Sequence, residues 1–201
     1  MKYILTLLVI ASTFLSATGQ ELKTYEGKEG SEDDFESIMI ALNGGCSLGC
    51  AIGWSLEATS TLPDQGSNTY KPDNMDDDDR KTAWVEGQSD YGIGSRIIIT
   101  FNDVEGVKGV PFDAISITNG YAKSQSSWEA NSRVKLFKVY LNGQAQFFIK
   151  LKDSIYPQWV YWSRDFIIGA GDQVEFEIVD VYPGTKWKDT AISDLSLSGA
   201  H

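Results

Sequence analysis

Hydrophobic and polar residues alternate along most of the second half of the chain, as in β-strands with one buried face. The alternation covers residues 112–119 (FDAISITN), 134–141 (VKLFKVYL) and 172–182 (DQVEFEIVDVY). A period of two indicates strands because successive side chains of a strand point to opposite faces. The core side of two of these strands is predicted to contain Ile115, Ile117, Val174, Phe176, Ile178 and Val181.

Turn residues separate these strands at intervals of roughly 8 to 12 residues, the spacing of sandwiches and jelly rolls. Asn142-Gly143 predicts a hairpin turn, since both central residues must accept a positive φ. No amphipathic helix pattern appears after residue 62. These features predict an all-β fold, a single antiparallel β-sandwich over residues 43–201.

The first 42 residues differ from this pattern. Residues 1–20 carry Lys2, then an apolar run and a small-residue end, which predicts a signal peptide cleaved near Gly19 and hence an exported protein, secreted or periplasmic. The apolar run is shorter than the roughly 20 residues of a membrane span, so no membrane insertion is expected. Residues 21–42 include an acidic stretch poor in apolar side chains and predict a flexible leader.

The net charge of the chain limits the classes of partner that it is expected to bind. The net charge is −11, and removal of the signal peptide with Lys2 would make it −12. Nucleic acid and anionic membranes bind to a cationic protein surface, so neither is expected as a partner. Divalent cations, in contrast, are compatible with the excess of acidic residues. The only histidine is His201, which disfavours histidine catalysis and zinc sites.

The only cysteines, Cys46 and Cys50, are predicted to form a disulfide that closes a small loop in an exported protein. A redox pair is the alternative. Three residues separate the cysteines and no thioredoxin-like βαβ pattern surrounds them, so the structural disulfide is favoured.

An acidic stretch, residues 76–79, leads directly into Thr82-Ala83-Trp84. Asp77-x-Asp79-x-x-Thr82 places three oxygen donors within six residues, and calcium takes about 6 to 8 oxygen ligands. A loop seldom supplies them all, and Asp194 in the last predicted strand is the candidate partner. The alternative is a solvated acidic loop without a metal.

Sugar sites combine exposed aromatic rings with hydrogen-bonding side chains. Three stretches offer this mixture: residues 84–91, 119–133 and 182–188. Trp84 is expected in the core rather than on the surface, and Arg133 and Glu86 could instead form a buried ion pair. The candidate glycan-binding residues are Glu86, Tyr91, Asn119, Tyr121, Trp128, Asn131, Arg133 and Trp187.

Several short motifs follow one another in order between residues 46 and 199. They are Tyr70, Asn74-Met75, Asp77, Asp79, Thr82-Ala-Trp-Val-Glu-Gly87, Tyr91-Gly-Ile-Gly94, Asn119-Gly-Tyr121, Asn131-Ser-Arg-Val-Lys135 and Asp189-Thr-Ala-Ile-Ser-Asp-Leu195. Read together, these motifs resemble the galactose-binding-like sandwiches of the discoidin or coagulation factor type C group. Within that group, the chain is most similar to the NADase-type glycan-binding domains, named after the translocation domain of an NAD-glycohydrolase toxin.

The resemblance implies a galactose-binding-like jelly roll with a structural calcium ion. Two positions depart from the family pattern: Asp78 stands where the pattern has glycine, and Asp194 where it has glutamate. The implied ligands are the side chains of Asp77, Thr82 and Asp194 and the carbonyls of Asn74, Asp79, Thr82 and Ser193.

These inferences predict a non-catalytic carbohydrate-binding protein whose partner is a glycan or glycoconjugate. The alternative is a protein-interaction module that docks a partner polypeptide with the same loops. An enzyme is not expected, because no pair of carboxylates stands out beyond the metal loop, and the glycohydrolase activity in the subfamily name belongs to another domain of that toxin.

Overall fold

Strands form where the period-two pattern predicts them, and they assemble into two main sheets around one core. The structure, a computed structural model, describes residues 21–30, 48–102 and 108–199. The six-stranded sheet contains β1 (Thr24–Glu26), β3 (Trp54–Ala58), β5 (Arg96–Phe101), β8 (Arg133–Leu141), β9 (Gln144–Lys150) and β12 (Gln173–Tyr182). The five-stranded sheet contains β2 (Lys28–Glu29), β4 (Trp84–Val85), β7 (Ala114–Asn119), β10 (Gln158–Tyr161) and β13 (Ala191–Ser198). The remaining elements are the β6 (Val110–Pro111) and β11 (Ile167–Ile168) pair, the helix α1 (Gln125–Ala130) and the 3-10 turns Leu48–Cys50 and Pro72–Met75.

The strand order is β1-β9-β8-β12-β5-β3 in the larger sheet and β2-β10-β7-β13-β4 in the smaller one. Among the described strands, every pairing is antiparallel except β1 with β9, which is parallel. The isolated bridges between Gly120 and Ile192 and between Ser132 and Thr190 are also parallel. The prediction of an all-β, largely antiparallel sandwich is confirmed.

The inward faces of the two sheets form the core. Ile115 and Ile117 of β7 are fully buried, as predicted. Val181 is only half-buried, because the register of β12 shifts after Ile178 and interrupts the alternation. Trp84 is fully buried and donates its indole N–H to the carbonyl O of Ser60 at 3.1 Å, which confirms its place in the core. Other buried core residues are Ile97, Ile99, Phe101, Phe137, Val139, Val174, Phe176, Ile178, Ile192 and Leu195.

The predicted hairpin turn joins β8 to β9. Asn142 and Gly143 adopt φ values of +50° and +76°, the left-handed conformation that a two-residue turn between antiparallel strands requires.

The prediction of a flexible leader over residues 21–42 is wrong for residues 24–29, which form β1 and β2. Tyr25 packs edge-on against Phe147, with ring centroids 5.2 Å apart, and β1 pairs with β9. Gly27 lies between the two strands, where a Cβ would come within 2.6 Å of the Gln158 side chain. An edge strand needs only one inward residue, so its sequence shows little hydrophobic alternation.

The expectation of no helix after residue 62 also needs correction, because α1 lies between β7 and β8. Its N-cap is Ser124, whose hydroxyl accepts a hydrogen bond from the backbone N–H of Ser127 at 3.1 Å. None of its residues is fully buried. A six-residue helix without a buried face leaves no hydrophobic period in the sequence.

Residues 1–20, residues 31–42 and Cys46 lie outside the described residues, so the signal peptide, the rest of the leader and the disulfide stay predictions. Within the described ranges, no helix combines the length and apolarity needed to cross a membrane.

One end of the sandwich collects the loops in which most predicted glycan-binding residues lie. β7 and β12 end there, β8 and β13 begin there, and an isolated bridge joins Ser132 to Thr190. We call this end the rim and define it by residues 86–92, 120–132 and 183–190.

Candidate functional site

The acidic loop lies between the 3-10 turn Pro72–Met75 and β4, and a buried asparagine holds its two ends together. The Asn74 amide nitrogen donates to the carbonyl oxygens of Thr69 (2.8 Å) and Ala83 (3.0 Å). Asp78, where the family pattern has glycine, adopts φ +58°. Aspartate tolerates this left-handed conformation better than most residues, so the loop keeps its shape despite the substitution.

Four oxygen atoms converge on the hydroxyl of Thr82 within this loop. Its Oγ1 lies 3.3 Å from the carbonyl O of Asn74, 2.8 Å from that of Asp79, and 3.1 and 2.8 Å from the Asp77 carboxylate oxygens. A hydroxyl has one hydrogen to donate, so most of these acceptors receive no proton from it. Oxygen-rich convergence of this kind fits a hard cation.

Asp194 extends toward the same acidic loop from β13, which packs against the turn Pro72–Met75. Burial raises the pKa of Asp194 to about 6, with Arg80 lowering it and the carboxylates of residues 76–78 raising it further. The neighbouring Ser193 is buried, and its hydroxyl accepts the backbone N–H of Ala122 at 2.9 Å. A cation between Asp194 and the loop would relieve this repulsion between carboxylates.

Within the described ranges, no three side chains of histidine, cysteine, aspartate or glutamate form a metal-binding group. The implied calcium shell takes only two carboxylates, from Asp77 and Asp194. Its other ligands are the Thr82 hydroxyl and backbone carbonyls, oxygen donors of the kind that calcium accepts. The donor chemistry therefore fits calcium.

Asn119 does not face the rim surface and is reassigned to the interior. It is fully buried, its amide nitrogen donates to the carbonyl O of Val134 at 2.7 Å, and its Oδ1 accepts the N–H of Val134 at 3.0 Å. This pair of hydrogen bonds ties the end of β7 to β8 in the other sheet. The side chain is thus unavailable to a ligand.

The Arg133 side chain is also buried and is used for contacts within the protein. Its Nε and Nη2 donate to the Asp153 carboxylate at 2.8–3.0 Å, and its Nη1 donates to the carbonyls of Asn131 (3.0 Å) and Pro183 (3.2 Å). The guanidinium carbon lies 4.5 Å from the Trp128 ring centroid. The alternative of a buried ion pair between Arg133 and Glu86 is not found, because the acidic partner of Arg133 is Asp153.

Trp128 and Asn131 belong to α1 and its C-terminus rather than to an open loop. The Trp128 indole donates to the carbonyl O of Asn119 at 2.9 Å, and its ring is half-buried. The Asn131 amide donates to the carbonyl O of Ser127 at 2.8 Å. Both side chains therefore form hydrogen bonds that hold α1 in place within the rim.

Glu86 is fully buried and has no basic partner among the described residues. Its carboxylate accepts the backbone N–H groups of Gln88 (2.7 Å) and Thr190 (3.5 Å). Burial raises the pKa of this carboxyl group. A Cβ on Gly92 would come within 2.5 Å of the Glu86 side chain, so the rim loop closes tightly over it.

Three predicted residues remain at the surface of the rim: Tyr91, Tyr121 and Trp187. Tyr121 is half-buried and packs edge-on against Tyr70, with centroids 6.5 Å apart. Tyr91 is partly exposed, and Trp187 keeps 49% of its surface exposed. Of the eight candidates, Trp187 is the most accessible.

The loop that carries Trp187 is fixed to the end of α1 by its backbone. The N–H groups of Lys186 and Trp187 both donate to the carbonyl O of Ala130, at 3.1 and 2.8 Å. The N–H of Thr185 donates to the carbonyl O of Glu129 at 2.9 Å. A Cβ on Gly184 would collide with the carbonyl O of Ala130, so this close approach requires glycine.

Sequence reasoning missed three residues that matter here. Asp153 lies 20 positions from Arg133, and no local pattern links the two. Lys186 and Lys188 flank Trp187 in the segment KWK, and this pattern of two lysines around an aromatic residue could have marked them as candidate site residues.

The comparisons with known proteins concern the same part of the chain. The family model for the NAD glycohydrolase translocation F5/8 type C domain matches residues 50–198. No curated protein matches the chain.

Several solved structures are similar to this chain, among them a transferase and a bacterial fragment. The arabinofuranosyltransferase AftD from Mycobacteria shares 17% identity at a TM-score of 0.50, over 75% of this chain and 11% of that one. A fragment described as a chitobiase from Bacteroides thetaiotaomicron shares 13% identity at a TM-score of 0.43, over 74% of this chain and 89% of the fragment. The chain spans only about a tenth of the transferase, and this likeness concerns the fold alone. The family match, on a chain folded as a two-sheet sandwich, shows that this chain belongs to the NAD glycohydrolase translocation F5/8 type C domain family.

Proposed function

We infer that this protein is an exported, non-catalytic carbohydrate-binding domain whose rim contacts a glycan through Tyr91 and Trp187. The observation that carries the proposal is the exposure of Trp187 on a loop whose backbone is tied to α1. An aromatic ring held in place can cover the C–H face of a sugar at a small cost in conformational entropy. Membership of the F5/8 type C family supports a binding role.

The same proposal includes a structural calcium ion at the acidic loop. Asp77, Thr82 and Asp194 would hold it by side chains, and Asn74, Asp79, Thr82 and Ser193 by carbonyls. The convergence of oxygens on the Thr82 hydroxyl supports this assignment. Bound calcium would supply positive charge that links the loop to β13 and neutralises the repulsion between carboxylates.

No catalytic step is assigned to the rim. The fully buried carboxylate of the rim, Glu86, accepts hydrogen bonds from the backbone N–H groups of Gln88 and Thr190. Acid–base catalysis needs a group within hydrogen-bond reach of the reacting atom, and Glu86 lies under the loop.

A protein partner on the same rim is the second candidate function. Ile93, directly after the rim segment 86–92, is 47% exposed, and an exposed apolar side chain next to the rim also suits a polypeptide surface. Retention of a purified partner polypeptide in excess free sugar would favour this alternative over the glycan.

The test is a thermal melt in EDTA and in calcium, repeated across a panel of mono- and oligosaccharides. Ligands that bind the native state raise the melting temperature with their saturation, so one assay reports both metal and glycan. Trp187→Ala should remove the sugar-dependent shift and keep the calcium shift. Ile167→Ala is the matched control, because Ile167 is 48% exposed but pairs with Pro111, at the end of the sandwich where β7 begins. A sugar shift that survives Trp187→Ala would contradict the site.

A further inference from the structure

Two lysine side chains at the rim lie against the aromatic rings that the proposed function uses. The Lys186 Nζ is 4.6 Å from the centroid of the Trp187 ring, and the Lys188 Nζ is 5.6 Å from that of Tyr91. Both lysines are exposed. The rim therefore presents two ammonium groups beside two aromatic faces.

Neither ammonium has a carboxylate partner among the described residues, although acidic residues outnumber basic ones by 28 to 17. Elsewhere on the sandwich, ion pairs are formed by Arg96, Arg133, Lys135, Lys150 and Arg164. Lys186 and Lys188 thus place two unpaired positive charges beside the exposed Trp187 and the partly exposed Tyr91 of an otherwise acidic chain.

Two carboxylates neighbour these groups in sequence: Asp189 follows Lys188, and Asp90 precedes Tyr91. Asp189 is half-buried, Asp90 accepts the backbone N–H of Gly92 at 3.1 Å, and neither is among the ion pairs of the described residues. The two ammonium groups are consequently available to an anionic group of a ligand. The backbone hydrogen bonds of Lys186 and Trp187 to Ala130 fix the positions from which the side chains extend.

We propose that the rim selects acidic glycans, whose carboxylate or sulfate groups pair with Lys186 and Lys188 while a sugar ring covers Trp187. This inference rests on the proposed glycan-binding function and adds the ligand class. Neutral sugars can stack on the aromatic rings, but only an anionic sugar also uses the two unpaired cations. Exposed ion pairs are screened by salt, so the preference should weaken as ionic strength rises.

The test is a glycan array in which each acidic glycan is printed beside its neutral counterpart. Uronate oligosaccharides are paired with their carboxyl-reduced forms, and sulfated galactan oligosaccharides with their desulfated forms, so the arms separate carboxylate from sulfate recognition. The wild-type protein should bind at least one acidic member more strongly than its neutral counterpart. Lys186→Gln/Lys188→Gln should weaken that binding roughly two- to thirtyfold, the range for two exposed ion pairs.

The matched control is Lys108→Gln/Lys138→Gln, which removes the same charge away from the rim. An equal loss in both double variants would show that overall charge, not the rim, is responsible, and would overturn the inference. Equal binding of acidic and neutral members would overturn it while leaving the glycan-binding function intact. Absence of binding to every printed glycan would instead overturn the proposed function itself. Unchanged melting temperatures confirm that both variants are folded.

Discussion

The acidic loop beside β13 and the rim loop of residues 183–188 use their polar groups in opposite ways. In the acidic loop, carboxylate and carbonyl oxygens converge on one hydroxyl, at Thr82, and acceptors outnumber donors. In the rim loop, backbone N–H groups and carbonyls satisfy one another across α1, and the side chains of residues 186–188 extend outward. The first region would gain stability from the proposed cation, whereas the backbone groups of the second are already paired and its side chains are free to contact a ligand.

The largest effect is expected from removing the Asn119 side chain, whose hydrogen bonds hold the end of β7 against β8. Asn119→Ala leaves the N–H and the carbonyl of Val134 buried without their partners, and each unsatisfied group costs about 1–3 kcal/mol. The free energy of unfolding should therefore fall by about 2–5 kcal/mol, measured by urea denaturation. Asn131→Ala, which removes a single hydrogen bond from a half-buried side chain, is the control and should cost about 1 kcal/mol.

The second-largest effect is expected from the calcium ion proposed at the acidic loop. Calcium at about 100 times its dissociation constant should stabilise the native state by about 2.7 kcal/mol. At about 2–4 °C per kcal/mol, the melting temperature should rise by roughly 5–10 °C relative to EDTA. Asp194→Asn should abolish most of this rise. Asp73→Asn removes a charge from the adjoining turn Pro72–Met75, outside the implied shell, so an equal effect of both variants would refute the ligand assignment.

A smaller effect is expected from adding a single methyl group to Gly184, within the rim loop. Gly184→Ala places a Cβ against the carbonyl O of Ala130 and should lower the unfolding free energy by about 1–3 kcal/mol. Because the loop must shift, glycan affinity in calorimetric titration should fall as well. Gly143→Ala is strained by its φ of +76° but meets no atom within 4 Å, so it should cost stability without changing glycan binding.

The smallest effect concerns Glu86, whose native pKa is raised above the ordinary 4.5 by burial, with Asp189 and Asp90 adding to the rise. An acid with a raised native pKa binds its proton more tightly in the folded state. The wild type should therefore lose unfolding free energy relative to Glu86→Gln as pH rises from about 4.5 through the raised pKa. Denaturation of both proteins in EDTA at several pH values measures this difference. A difference that stays constant with pH would show that Glu86 does not titrate as proposed.

The sequence alone was sufficient to predict the sandwich, its main core residues and the Asn142-Gly143 turn. Alternation reports which face of a strand is buried, and a two-residue turn requires residues that accept positive φ. Both properties are local, so no knowledge of distant partners is needed. The same reasoning failed for residues 24–29, because an edge strand with one inward aromatic resembles a polar tail.

Tertiary structure decided which polar residues near the rim face inward. Asn119 and Arg133 have the composition of a sugar site, yet their partners, Val134 and Asp153, lie 15 and 20 positions along the chain. Whether a side chain is free for a ligand depends on which distant groups satisfy its hydrogen bonds, and residue type does not encode this. The exposure of Trp187 likewise follows from the docking of its loop on α1, a contact that only the folded chain creates.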